Sequence, residues 1–162
     1  MKANEYQIGG SHYDAPYKHW DWVLDIGMQY LEAQTTRYLC RFDKKGFAVQ
    51  DMEKAAHYVA KLRENIGLCR RLVACTRPST AFVRERTLKF AHACGFDPTK
   101  TRDLLARTAI QHLALWETDG DLDLAAKQIE ALRQDLLRAE PVPLEDSNKH
   151  ALYDEPEEER SK

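Results

Sequence analysis

The chain has 162 residues, 24 Lys and Arg against 26 Asp and Glu for a formal charge of −2, with 43% apolar and 31% charged residues. That length allows one domain or two small helical lobes and excludes a large multidomain machine. Seven glycines, six prolines and apolar residues recurring at helical spacing argue against a strand-rich sandwich or barrel, so the predicted class is all-α.

Residues 1–18 carry Gly9-Gly10, Pro16 and three tyrosines without helical periodicity, which predicts an extended N-terminal lead-in. Met1-Lys2-Ala3-Asn4-Glu5-Tyr6 lacks the apolar core of a signal peptide, and no apolar run approaches the roughly 20 residues that span a bilayer. The expectation is a soluble, cytoplasmic protein with no membrane partner. Trp20, Val23 and Leu24 form a short helical stripe closed by Gly27, and Met28 to Phe42 reads as a second helix ending in the basic turn Asp43-Lys44-Lys45-Gly46. A third helix opens at Asp51, with Met52, Ala55, Ala56, Val59 and Leu62 on its apolar face. These elements make a first lobe, residues 1–66.

Gly67 to Pro78 is basic and weakly periodic, so the lobe boundary is placed there. Phe82, Val83, Leu88 and Phe90 predict a fourth helix ending near Cys94-Gly95. Asp97-Pro98-Thr99 starts a fifth helix carrying Leu104, Leu105, Ile110, Leu113 and Trp116, and Leu122 to Arg138 forms a sixth. Residues 67–138 are thus a second helical lobe, with an accessory or oligomerisation role expected. Tyr38-Leu39 to Gly46, then Ala55-Ala56 and Leu62-Arg63, is echoed by His112-Leu113 to Gly120, then Ala125-Ala126 and Leu132-Arg133. Either a duplication or the common grammar of helical hairpins accounts for that echo.

Residues 139–162 hold eight acids, three bases, Pro141, Pro143 and Pro156, a local charge of −5 that leaves +3 on the rest of the chain. Such a segment buries too little apolar surface to offset the entropy of ordering, so a flexible acidic tail is expected. Cys40, Cys69, Cys75 and Cys94 form no CxxC pair, which favours reduced thiols over disulfides or zinc ligands.

The densest chemistry lies in the first lobe. Arg37 and Arg41 are one helical turn apart and share a face, with Lys44 and Lys45 extending from the end of that helix. Guanidinium groups suit bidentate binding of phosphate oxygens, so a phosphate ligand fits this concentration of cations. The alternative is that Arg37 and Arg41 pair with Glu32, Asp51 or Glu53 and that Lys44-Lys45 is a solvated turn. Tyr13, Tyr38 and Tyr58 offer either a stacking face for a base or core packing with a wet tip. His12 can donate to a phosphate or act as general acid or base, and otherwise makes a structural hydrogen bond.

These residues carry a family resemblance. The order Ser11-His12-Tyr13, a short apolar helix, Arg37-Tyr38 and Arg41, the Lys44-Lys45-Gly46 turn, then Lys54-Ala55 and Tyr58 resembles a family of small phage proteins that includes the early nucleotide kinase of a T-odd coliphage. The match covers about residues 11–62. It departs at Asp43, where the family usually has Gly, and at Gln34, where it usually has Asn. Asp43 places a negative charge beside the phosphate position. The resemblance implies a helical nucleotide-handling protein acting in the host cytoplasm during infection, with phosphoryl transfer from ATP to a nucleoside monophosphate as the implied activity.

No GxxxxGK[ST] loop is present, so a P-loop kinase is excluded. For transfer, Ser11, His12, Tyr13, Arg37, Tyr38, Arg41, Lys44, Lys45, Lys54 and Tyr58 are the expected nucleotide site. His12 and Arg41 would be its catalytic members, and Asp51 or Glu53 would hold Mg²⁺. Two other functions remain open at this point. One is a sponge that sequesters a nucleotide or cyclic-nucleotide defence signal without turnover, for which a basic, tyrosine-rich pocket suffices. The other is nucleic-acid or host-protein binding through Arg70, Arg71, Arg77, Arg84, Arg86 and Lys89, a patch interrupted by Glu85, Asp97 and Asp103. A pocket in so small a helical protein often needs a second subunit to close it, so a homo-oligomer is expected.

Overall fold

The structure, a computed structural model, describes residues 16–44 and 46–139. Among the described residues it is all-helical, with seven helices and no strand. They are α1 (His19–Asp25), α2 (Tyr30–Leu39), α3 (Ala48–Glu64), α4 (Ile66–Thr76), α5 (Thr80–Ala93), α6 (Thr101–Leu115) and α7 (Asp119–Arg138). The N-terminal lead-in up to residue 15 and the acidic segment 140–162 lie outside the described residues.

The helix boundaries follow local chemistry. Gly46, at φ 72°, turns the chain through a conformation that side chains resist, and α3 begins two residues later at Ala48. Asp51, expected as the opening cap, therefore sits inside the first turn. Thr118 caps α7 in a reciprocal box with Asp121, so Asp119-Gly120-Asp121 belongs to the first turn of that helix rather than to a separator. Ser79 caps α5 by accepting from the Phe82 backbone N–H.

The helix beyond the six expected is α4, where the sequence suggested a weakly periodic boundary. Its apolar residues divide between two faces: Cys69 and Val73 point inward, while Leu68 and Leu72 remain about half exposed. A split face blurs the single-stripe periodicity that identifies a helix from sequence. The Arg77-Pro78 step ends it, since the residue before proline leaves the helical region. The last turn of α4 lies so close to the α1–α2 turn that a Cβ on Gly27, at φ 63°, would come within 2.3 Å of the Thr76 carbonyl oxygen.

Two hairpins, α2–α3 and α6–α7, pack together through α3 against α7 and α2 against α6. The sequence echo maps onto them residue by residue. Glu32, Thr35, Thr36, Leu39 and Phe42 are buried in the first hairpin, as are Ala106, Ala109, Ile110, Leu113 and Trp116 in the second. Met52, Ala55, Val59 and Leu62 of α3 are likewise matched by Leu122, Ala125, Ile129 and Leu132 of α7, all essentially without exposure. Ion pairs repeat the relation: Arg63 reaches Asp123 at 2.7 Å, and Arg133 reaches Glu53 at 3.7 Å. Each joins the late part of one long helix to the early part of the other, so α3 and α7 run antiparallel about a pseudo-twofold axis. Buried residues from Tyr17 to Leu132 form a single hydrophobic cluster spanning both hairpins and α5.

Outside this bundle, α1 packs on α5 through Trp22, whose ring stacks on Phe90 at 4.2 Å and 3°. A polar cluster crosses the interior. The fully buried Glu32 carboxylate accepts from the Trp116 indole N–H and from the Gln29 backbone N–H at 2.7 Å, and Arg77 approaches it at 3.4 Å. Arg77 also donates to the Trp116 carbonyl at 2.6 Å, tying α2 to the ends of α4 and α6.

Candidate functional site

The end of α2 and the start of α3 meet at a basic, aromatic cluster. Arg41 follows α2 in the turn to α3, and its guanidinium makes a bidentate pair with Asp51, at 3.1 Å from Nε to Oδ2 and 3.0 Å from Nη2 to Oδ1. Both side chains are nearly enclosed, 12% and 3% exposed. A planar guanidinium held at two points has its orientation fixed, unlike a lysine ammonium on a flexible stem. Its carbon lies 4.6 Å from the Tyr38 ring centre, a cation–π contact. Tyr38 in turn stacks on Tyr58 at 5.9 Å and 19°, and Tyr30 meets Tyr58 edge-on at 6.2 Å. The result is a ladder running Arg41, Tyr38, Tyr58, Tyr30, with Lys54 Nζ 5.8 Å from the Tyr38 ring.

Electrostatics follow from these contacts. The Tyr58 phenol is pushed up, chiefly by its hydrogen bond with Tyr30, while Arg37 acts the other way. His19, enclosed beside Thr36 at 2.9 Å, is lowered to about 4 by burial and then by the Arg37 charge, so it is neutral at physiological pH. The Cys40 thiol is lowered by its hydrogen bond with Cys94 and by the Lys44 and Arg41 charges.

The structure brings together Arg41, Tyr38, Tyr58, Lys54 and Asp51, with Arg37 exposed on the adjoining helix face. Of the alternatives at Arg41, the pairing with Asp51 is the one observed. Lys44 turns to the C-terminus of α5, where its ammonium donates to the Cys94 carbonyl at 3.3 Å. Asp51 and Glu53 do not converge: residues two apart on a helix face different ways, Asp51 inward to Arg41 and Glu53 outward to Arg133. Among the described residues no group of three or more His, Cys, Asp or Glu side chains forms a metal-binding cluster. Ser11, His12, Tyr13 and Lys45 lie outside the described residues.

Sequence reasoning passed over Tyr30. The signal was there: Tyr30 and Tyr38 are two helical turns apart, with Gln34 between them on the same face. No family model, curated protein or solved structure matches the chain. No helix among the described residues is long and apolar enough to cross a membrane.

Proposed function

We propose that the α2–α3 cluster binds a nucleotide through its phosphate and base. The observation behind this reading is the Asp51-anchored Arg41 guanidinium stacked on an aromatic ladder whose outer ring, Tyr30, is 66% exposed. A base finds a π-face on Tyr30 and Tyr58, and stacking of this kind tolerates any base. Arg37, Arg41 and Lys54, grouped around the ladder, supply cationic donors suited to phosphate oxygens. The resemblance to the phage nucleotide-kinase family supports the same ligand and adds phosphoryl transfer from ATP to a nucleoside monophosphate, with His12 and Arg41 as catalytic groups. Sequestration without turnover is the second reading. It is favoured by the engagement of both Asp51 oxygens with Arg41, which directs that carboxylate toward orienting the cation rather than carrying Mg²⁺.

The test incubates stoichiometric protein with nucleoside monophosphates and cyclic nucleotides, with and without ATP and Mg²⁺, and chromatographs the filtrate before and after denaturation. New diphosphate identifies a kinase and its acceptor. A nucleotide removed from the filtrate and recovered unchanged identifies a sponge. Retention of none of them overturns nucleotide binding. Arg41→Ala is expected to weaken retention at least tenfold; because it strands the buried Asp51 carboxylate, Tyr58→Ala and Lys54→Ala serve as variants at more exposed positions, each expected to weaken binding several-fold.

A further inference from the structure

The pseudo-twofold axis gives the nucleotide cluster a mate, and at that position the structure has an open cleft of about 640 Å³ between α5 and the α6–α7 hairpin. Gln111, His112, Leu115 and Asp121 line it, occupying the register of Arg37, Tyr38, Arg41 and Asp51 in the first hairpin. Asp121 is committed to the α7 cap, accepting from the Thr118 and Glu117 backbone N–H groups at 2.9 and 3.0 Å. The guanidinium that the first hairpin has at Arg41 is absent at Leu115, yet a guanidinium returns to the same cleft from α5 as Arg84. Among the described residues, the Arg84 and Gln111 side chains have no hydrogen-bond or ion-pair partner.

We propose that this cleft is a second nucleotide site, taking a nucleoside monophosphate independently of the first. Each lining group has a matching part of that ligand. Arg84 and His112 supply donors for the phosphate, and Leu88 and Leu115 supply apolar walls for the base. The Gln111 amide can donate to and accept from a base edge. Glu117, a carboxylate that would repel a bare anion, suits the hydroxyls of a sugar, a pairing that carboxylates make in dinucleotide sites. A ligand with phosphate, sugar and base therefore fits the mixture of charges better than inorganic phosphate does. The choice of a nucleotide rests partly on the reading of the first hairpin; the cleft and its unpartnered groups do not.

The two sites lie at opposite ends of the antiparallel α3–α7 pair. Asp51 lies in the first turn of α3, and Arg63, near its other end, pairs with Asp119 and Asp123 at the start of α7. At about 1.5 Å per residue this separates the ends by about 18 Å, too far for two bound phosphates to exchange a phosphoryl group. The second site is thus an effector or storage site, not the seat of a co-substrate.

The experiment is equilibrium dialysis of the full chain against AMP, GMP, dCMP and dTMP, counting nucleotides bound per chain, with inorganic phosphate as competitor. Two equivalents of at least one nucleotide are expected. Arg84→Ala, at an exposed position, should weaken one equivalent at least tenfold and leave the other unchanged, while Tyr58→Ala acts on the other alone. One equivalent, insensitive to Arg84→Ala and weakened by Tyr58→Ala, overturns the second site and leaves the first standing. One equivalent with the opposite sensitivities upholds the cleft and removes the reading of the α2–α3 cluster. Displacement of the Arg84-dependent equivalent by phosphate at equal concentration, or no binding at all, overturns the assignment of this cleft to a nucleotide.

Discussion

The α2–α3 and α6–α7 hairpins share a scaffold and differ in chemistry. The buried positions of α2 and the apolar ones of α3 quoted above have buried partners from Ala106 to Leu132, while most of the exposed and half-exposed positions have diverged. Asp51 and Asp121 stand at the same register with different tasks. Asp51 is buried and holds the Arg41 guanidinium; Asp121, facing Leu115 instead of an arginine, turns to backbone donors, which hold its carboxyl below the usual range. Core packing constrains which residues face inward, while a single partner decides what the acid beside them does.

The largest effect should come from the matched aromatic pair. Trp116→Ala and Phe42→Ala each empty a buried ring site and should cost about 3–5 kcal/mol in urea denaturation. Trp116→Ala should be the more costly, because it also removes a donor from the buried Glu32 carboxylate. A larger loss for Phe42→Ala would break the asymmetry assigned to the two hairpins.

Glu32 is the sharpest difference within the core, since its counterpart is Ala106. Burial raises its carboxyl above the ordinary value of 4.5, against the opposing pulls of the Gln29 N–H, Trp116 and Arg77. The folded state therefore binds the proton more tightly than the unfolded state does. This contribution to stability is complete below about pH 4.5 and is lost as pH rises through the folded value. Glu32→Gln removes that dependence, so the variant should gain on the wild type as pH rises from 4 to 8 in thermal melts. A difference that is flat with pH would show that the protein interior does not perturb this carboxyl. Arg77→Met, which removes the positive partner of the same carboxylate but leaves its Gln29 and Trp116 donors, should destabilise at neutral pH by about 1.5–3 kcal/mol.

The smallest effects test the symmetry itself. Double-mutant cycles on Arg63 with Asp123 and on Arg133 with Glu53 should give coupling energies of about 0.2–1 kcal/mol each, similar to one another and reduced in 1 M salt. Coupling in one pair alone would mean that the two-fold relation ends at the core.

Much of the fold was legible because it is written in apolar spacing. The stripes of α3 and α7 and the glycine and proline stops placed six helices within a few residues, and α4 escaped because its apolar residues serve two faces. The echo between the hairpins was visible as a pattern, but only packing tells which side of each helix is buried. At the site, helical spacing put Arg37 and Arg41 on one face. It left open whether Asp51 would answer Arg41 or a metal, because that depends on the turn between α2 and α3, where pattern carries little information. In the sequence Arg84 belongs to a basic patch interrupted by Glu85, Asp97 and Asp103. Its position at the mouth of a cleft arises from α5 crossing α6, a tertiary contact with no local signature.

The joining of both hairpins in one chain has a consequence for heredity. In an assembly of two identical hairpins, one altered codon changes both copies at once, and a substitution tolerable on one side must be tolerable on the other. Here each codon is read into one side only. An arginine can stand at position 41 and a leucine at its mate, 115, without either dictating the other. Selection can therefore act on the two ends of this bundle separately while their common core holds them in register.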